Sequence, residues 1–132
     1  MIAELRSARS YKMIEMIKLQ RSRCSILPLV LKGKWFDMIE RGEKREEYRD
    51  WDVWNKRISK WLHRFNKSPE IQYLVVAFQR GYRKPSMWYE VTCVSSEKVP
   101  RVKHPEWGEP DEPHFVIQLG RRVCISDSIG HV

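Results

Sequence analysis

Lys32-Gly33-Lys34-Trp35-Phe36-Asp37-Met38-Ile39-Glu40-Arg41-Gly42-Glu43-Lys44-Arg45-Glu46-Glu47-Tyr48-Arg49 passes from a strand end through a short helix and a glycine stop into a strand crowded with charge. Trp35, Met38 and Ile39 fall at i, i+3 and i+4, so the spacing predicts a helix over residues 35–41. Gly42 stands where a left-handed C-terminal cap is expected and ends that helix. Residues 44–49 then read as a strand, with Lys44, Glu46 and Tyr48 on one side and Arg45, Glu47 and Arg49 on the other. Polar groups gathered just after a tight turn suit the floor or rim of a pocket. The plain alternative is a solvated edge strand with alternating charges.

Upstream, Ile26 to Leu31 reads as a buried strand, and Pro28 assigns it to an edge or a bulge because proline lacks a ladder donor. Residues 1–24 are basic and weakly patterned, and read as a partly helical N-terminal extension to a single domain over residues 25–132. Downstream, Asp52 suits the N-cap of a second helix. In it Trp54, Ile58, Trp61, Leu62 and Phe65 form one apolar stripe, with Lys56, Arg57, Lys60 and Arg64 on other faces. A turn at residues 66–69 leads into a strand from Ile71 to Gln79, rich in β-branched and aromatic residues. A basic loop over residues 80–85 connects to a strand from Met87 to Ser95. Residues 97–113, with four prolines, read as an ordered loop. Phe115 to Leu119 is a further strand, and Arg122 to Ile125 suits one more. Strands predominate, with two helices inserted early, an order that fits a small α+β barrel plugged by helices.

The 132-residue length suits one domain with a real core. A formal net charge of +8 favours a polyanionic partner, and it is uneven: residues 1–34 hold eight Lys/Arg against two Glu, leaving +2 for the rest. Cys24, Cys93 and Cys124 are far apart without a Cys-x-x-Cys pair, as expected of reduced thiols in the cytoplasm. His63, His104, His114 and His131 lack metal-ligand spacing, so no metal and no cofactor is expected. No apolar run approaches membrane-spanning length, and the N-terminus lacks the continuous apolar stretch of a signal peptide, so no membrane partner is expected.

Trp35, Ile39, Gly42, Glu43, Lys44, Glu47 and Arg49 resemble the signature of the ASCH domain, a member of the PUA-like superfamily, whose pattern is a helical tryptophan, a hydrophobic residue and Gly-Glu-Lys-x-x-Glu-x-Arg. The resemblance continues more weakly through Tyr89-Glu-Val-Thr92 and Phe115-Val-Ile-Gln-Leu-Gly120, covering roughly Ser25 to Val123. It implies a small PUA-like β-barrel with two to three flanking helices and a cleft for RNA or a modified nucleoside.

The candidate catalytic residues are Lys44, Glu47 and Tyr48. A desolvated lysine acts as a base or stabilises an anion. One ASCH-like branch hydrolyses the acetyl amide of 4-acetylcytidine with a lysine, a threonine and a glutamate; Lys44 matches the lysine, but Glu47 stands at the threonine position. Glu106 and Glu109 are candidates for the third member. The candidate nucleic-acid contacts are Lys32, Lys34, Lys44, Arg49, Arg80, Tyr82, Arg83 and Lys84, cations interleaved with an aromatic ring as phosphate contact and base stacking require. The leading expectation is recognition of RNA or a modified nucleoside through a cleft around residues 32–49. The alternatives are a hydrolase acting on a nucleoside amide or an RNA phosphodiester, and an adaptor that binds a protein partner through Trp107 and the proline-rich loop.

Overall fold

Pro28 lies on a strand with one hydrogen-bonded neighbour, where its missing donor costs nothing. A computed structural model describes residues 16–99 and 101–127. Its elements are β1 (Ile17–Gln20), β2 (Cys24–Leu31), α1 (Gly33–Glu40), β3 (Glu46–Asp50), α2 (Trp51–Lys67), β4 (Tyr73–Arg80), β5 (Met87–Glu97) and β6 (His114–Ser126), with 3-10 turns at Arg21–Arg23 and Pro105–Trp107. They form a mixed α+β fold around one six-stranded sheet of order β1-β6-β5-β4-β2, with β3 also paired to β6. β2 runs parallel to β4 and β1 parallel to β6; the remaining pairs are antiparallel.

Backbone hydrogen bonds among the described residues do not close this sheet into a barrel, because β2 and β3 are not paired. A side chain crosses the opening instead: Arg49 on β3 donates from Nη2 to the Val30 carbonyl on β2 at 3.0 Å. α2 packs along both strands. Its Trp54 ring lies 4.8 Å from the Arg49 guanidinium, and Trp61 Nε1 donates to the Ser25 carbonyl at 2.9 Å. The helix therefore runs antiparallel to β2, from the Val30 end to the Ser25 end.

β4 lies between β5 and β2, and its two faces feed two cores. Leu74, Val76 and Phe78 join Leu27, Leu29, Phe36, Ile58 and Trp61 beneath the helices, while Val75 joins Leu19, Cys24 and Val123 on the far side. The predicted stripe of α2 is buried at Ile58 and Trp61 and half-buried at Trp54, Leu62 and Phe65. Its N-cap is Asp50 rather than Asp52, with the Asp50 carboxylate accepting from the Val53 amide at 3.0 Å. The helical reading of the N-terminal extension concerns mainly residues 1–15, which lie outside the described residues. Ile17–Gln20 within that extension form β1, so the sheet begins before residue 25.

β6 is one long strand where two short ones were expected. Gly120 lies opposite the irregularity where the register with β5 shifts between Tyr89 and Cys93. A Cβ at Gly120 would lie 2.9 Å from Thr92 Cγ2 and 3.2 Å from the Glu90 carbonyl oxygen. The glycine permits a close approach of two strands, and β6 continues through it as one strand.

Candidate functional site

The turn after α1 builds the site. Gly42 takes φ 78°, its amide donates to the Ile39 carbonyl, and the amides of Glu43 and Lys44 both donate to the Met38 carbonyl. These are the paired bonds of a Schellman cap, and they use the backbone of Lys44 before the strand begins. β3 therefore starts at Glu46, two residues later than predicted, and the strict alternation from Lys44 does not hold. Lys44 and Glu47, expected on opposite faces, meet with Nζ 3.5 Å from Oε1.

Lys44 is 2% exposed. Its ammonium donates to the Trp107 carbonyl at 2.6 Å and lies 4.5 Å from the Tyr48 ring centroid and 5.1 Å from that of Trp35. Burial lowers its pKa, and the Glu47 carboxylate opposes that shift without reversing it. Glu47 is also buried; its Oε2 accepts from Arg49 Nη2 at 2.6 Å and Nε at 3.0 Å, so both carboxylate oxygens face cations. Tyr48 donates its phenol to Glu46 Oε1 at 2.9 Å, and burial together with that bond pushes the phenol far above its ordinary value. It is a held donor, ill suited to giving up its proton.

The proline-rich loop covers this group. Trp107 supplies the carbonyl over Lys44, its ring stacks on His104 at 3.9 Å, and Gly108, at φ 80°, lies so close to Trp35 that a Cβ would sit 2.7 Å from the indole. Glu109 pins the loop. Its Oε1 accepts from the amides of Lys103 and His104, and its Oε2 lies 3.1 Å from Nε2 of the fully buried His114. Burial works to raise the Glu109 carboxyl, but these amides and His114 more than offset it and leave the carboxyl below its usual range. The His114 ring meets the Tyr48 ring edge-on at 5.7 Å, linking the pin to the Lys44 group. Glu109 is thus a loop anchor, while Glu106 is exposed beside His104.

The second predicted set gathers at one end of the sheet. Leu31 pairs with Arg80, and the Gly81 amide donates to the Leu31 carbonyl, so the β4–β5 turn sits beside the start of α1. Lys32, Lys34, Tyr82, Arg83 and Lys84 are all exposed there, Tyr82 completely. Arg80 is committed: it grips Asp37 through two 3.0 Å bonds, with its guanidinium across Gly33. That bond is the main reason the Asp37 carboxyl is held below its usual value. Lys34 Nζ stands 4.6 Å over the Trp35 ring, which also faces Lys44. Trp35 is the side chain that joins the exposed rim to the buried lysine.

Sequence reading missed His114 and the role of the Trp107 carbonyl. The buried histidine lacks a local signal, since its partner is set by the loop path, and a carbonyl acceptor carries no residue-type signal at all. Among the described residues no helix is long and apolar enough to cross a membrane, and Cys24, Cys93 and Cys124 are free thiols. No protein-family model matches the sequence, and neither a curated protein nor a solved structure matches it.

Proposed function

We propose that this chain is an ASCH-like, cytoplasmic domain that binds single-stranded RNA or a modified nucleoside on the rim of Lys32, Lys34, Tyr82, Arg83 and Lys84, with Trp35 at its inner end over the buried Lys44. On this reading the curved sheet is a PUA-like barrel whose seam is the Arg49 side chain. The observation that carries the proposal is the gathering of cation and ring at one end of the sheet: exposed cations beside an exposed Tyr82 on the turn bonded to Leu31, and at the start of α1 Lys34 over Trp35, whose ring also faces Lys44. Cations supply phosphate contacts, and an exposed ring supplies a stacking face for an unpaired base. Arg80 and Arg49 serve the fold on this reading, holding Asp37 and Glu47 respectively.

A second reading, hydrolysis of a nucleoside amide, is favoured by one observation: a lysine of lowered pKa beside a carboxylate. Opposing it, Lys44 is closed off by the Trp107 carbonyl, and Glu47 spends one oxygen on Arg49.

Fluorescence anisotropy with single-stranded RNA tests the binding reading. Affinity on the order of micromolar is expected at low salt, falling steeply as salt rises because phosphate contacts release counterions. Tyr82→Ala is expected to weaken binding about five-fold or more through the lost stack. No binding at low ionic strength, or a flat salt response, overturns the reading. Mass spectrometry of acetylated nucleosides incubated with the protein tests the hydrolase reading; recovery of deacetylated product that disappears in Lys44→Met would establish it.

A further inference from the structure

The solvent side of α2 is a row of cations without counter-charges. Lys56, Arg57, Lys60, Arg64 and Lys67 are all exposed, and Asp52, in the first turn, is the helix's only acidic residue. Lys56, Lys60, Arg64 and Lys67 recur at four, four and three residues, so they line one face over about 16 Å. Among the described residues none of these five is held in an ion pair, whereas Arg21, Arg41, Lys44, Arg49, Arg80, Arg121 and Arg122 each are. Cations in the last turn complement the helix dipole, which accounts for Arg64 and Lys67. It does not account for Lys56 and Lys60 in the middle turns; Arg57 there lies 4.2 Å over the Trp54 ring.

The row has direction. Its first members follow Trp54, which lies under Arg49 at the Val30 end of β2, close to the rim at Lys32. Its last members follow Trp61, bonded at Ser25, and the chain then returns to Arg23, whose carbonyl accepts from the Gln72 amide at 2.8 Å. Arg23 is exposed, and among the described residues its side chain hydrogen-bonds the neutral Gln20 and Gln72. The cations of α2 thus run from near the rim, past the exposed Asp50 and Asp52 at the start of the helix, to the opposite end of the sheet. A membrane surface does not fit, because the apolar face that would enter lipid is packed into the core at Ile58 and Trp61.

We infer that the α2 face is a second contact for the same RNA strand, binding phosphodiester groups of nucleotides that run on beyond the rim. This rests on the RNA reading of the rim and adds to it a footprint and a strand path. A cation row without exposed rings holds backbone and leaves bases unread, so contact there is independent of sequence.

The test compares single strands of about six and about 20 nucleotides, the range of ordinary single-strand sites and beyond, on wild type, on the triple variant K56Q/K60Q/K67Q and on the rim variant Y82A/R83Q. All five substituted side chains are exposed, and unchanged thermal midpoints confirm intact folds. The triple variant is expected to bind the short strand as wild type does. On the long strand it should bind at least ten-fold more weakly at low salt, with a log–log salt slope shallower by about 2, three lost contacts at about 0.7 each. Long-strand affinity and slope unchanged in the triple variant overturn the inference while leaving the rim reading intact. A rim variant equal to wild type on the short strand, with the triple variant still impaired on the long one, overturns the rim reading and keeps the α2 contact. Binding of wild type to anionic vesicles but to neither RNA overturns both.

Discussion

Lys44 is a charged group held where charge is costly. The Trp107 carbonyl, the Glu47 carboxylate and two ring faces replace its water, yet burial still leaves its pKa below the ordinary 10.5. The sign of the linkage follows. Between the folded value and 10.5 the unfolded chain binds more protons at this site than the folded one, so the Lys44 contribution to stability rises with pH across that window. It is fully present above 10.5 and is lost as pH falls through the folded value. Lys44→Met removes the titration while filling much of the space. Urea unfolding of both proteins from neutral pH upward should show wild type gaining on the variant as pH approaches 10.5. Parallel profiles would show that the amine is hydrated in solution. The Gly-Glu-Lys segment was legible as a turn into polar residues, and the burial of its lysine was not. That burial depends on Trp107, 63 residues away, and on a loop held by a buried glutamate–histidine pair.

α2 shows how far an amphipathic pattern reaches. Ile58 and Trp61 are buried as the stripe requires, because 3.6-residue periodicity reports which face meets the core. What periodicity omits is the polar role of Trp61. Its indole donates to the carbonyls of Ser25 at 2.9 Å and Val75 at 3.2 Å, and its own carbonyl accepts from Ser25 Oγ at 2.8 Å. The helix is fastened to β2 and β4 by bonds as well as by packing. Trp61→Phe should cost about 1–3 kcal/mol, mainly from a lost donor to buried carbonyls. Trp61→Ala should cost about 3–5 kcal/mol through the added cavity. Denaturant midpoints of the two variants check this, and a phenylalanine variant as stable as wild type would leave only packing. Strand limits were less legible than the helix. Arg122 to Ile125 read as a separate strand, whereas β6 runs on through Gly120, which admits a close-lying β5.

At the scale of the molecule, a six-stranded sheet leaves β2 and β3 unpaired across a gap, and one guanidinium spans it. Arg49 donates to Val30 on β2, to Glu47 on its own strand, and lies over Trp54 of α2. Three elements of the described fold thus converge on a side chain that the sequence places among nucleic-acid contacts by type alone. Arg49→Met removes the span and leaves Glu47, with a side chain 7% exposed, facing Lys44 as its remaining cation. Breaking a buried pair by removing one partner costs about 3–5 kcal/mol, chiefly because a charge is left desolvated. The R49M/E47Q double variant removes that stranded charge, so it should be less destabilised than the sum of its single variants. Hydrogen exchange separates this seam role from a ligand contact. Amides of β3 and of the first turns of α2 should exchange faster in Arg49→Met without any RNA present, while β5 and the C-terminal half of β6 keep their protection. Unchanged exchange along β3, with stability lost by less than about 1 kcal/mol, is the ordinary result for a solvated surface pair and would return Arg49 to the nucleic-acid contacts.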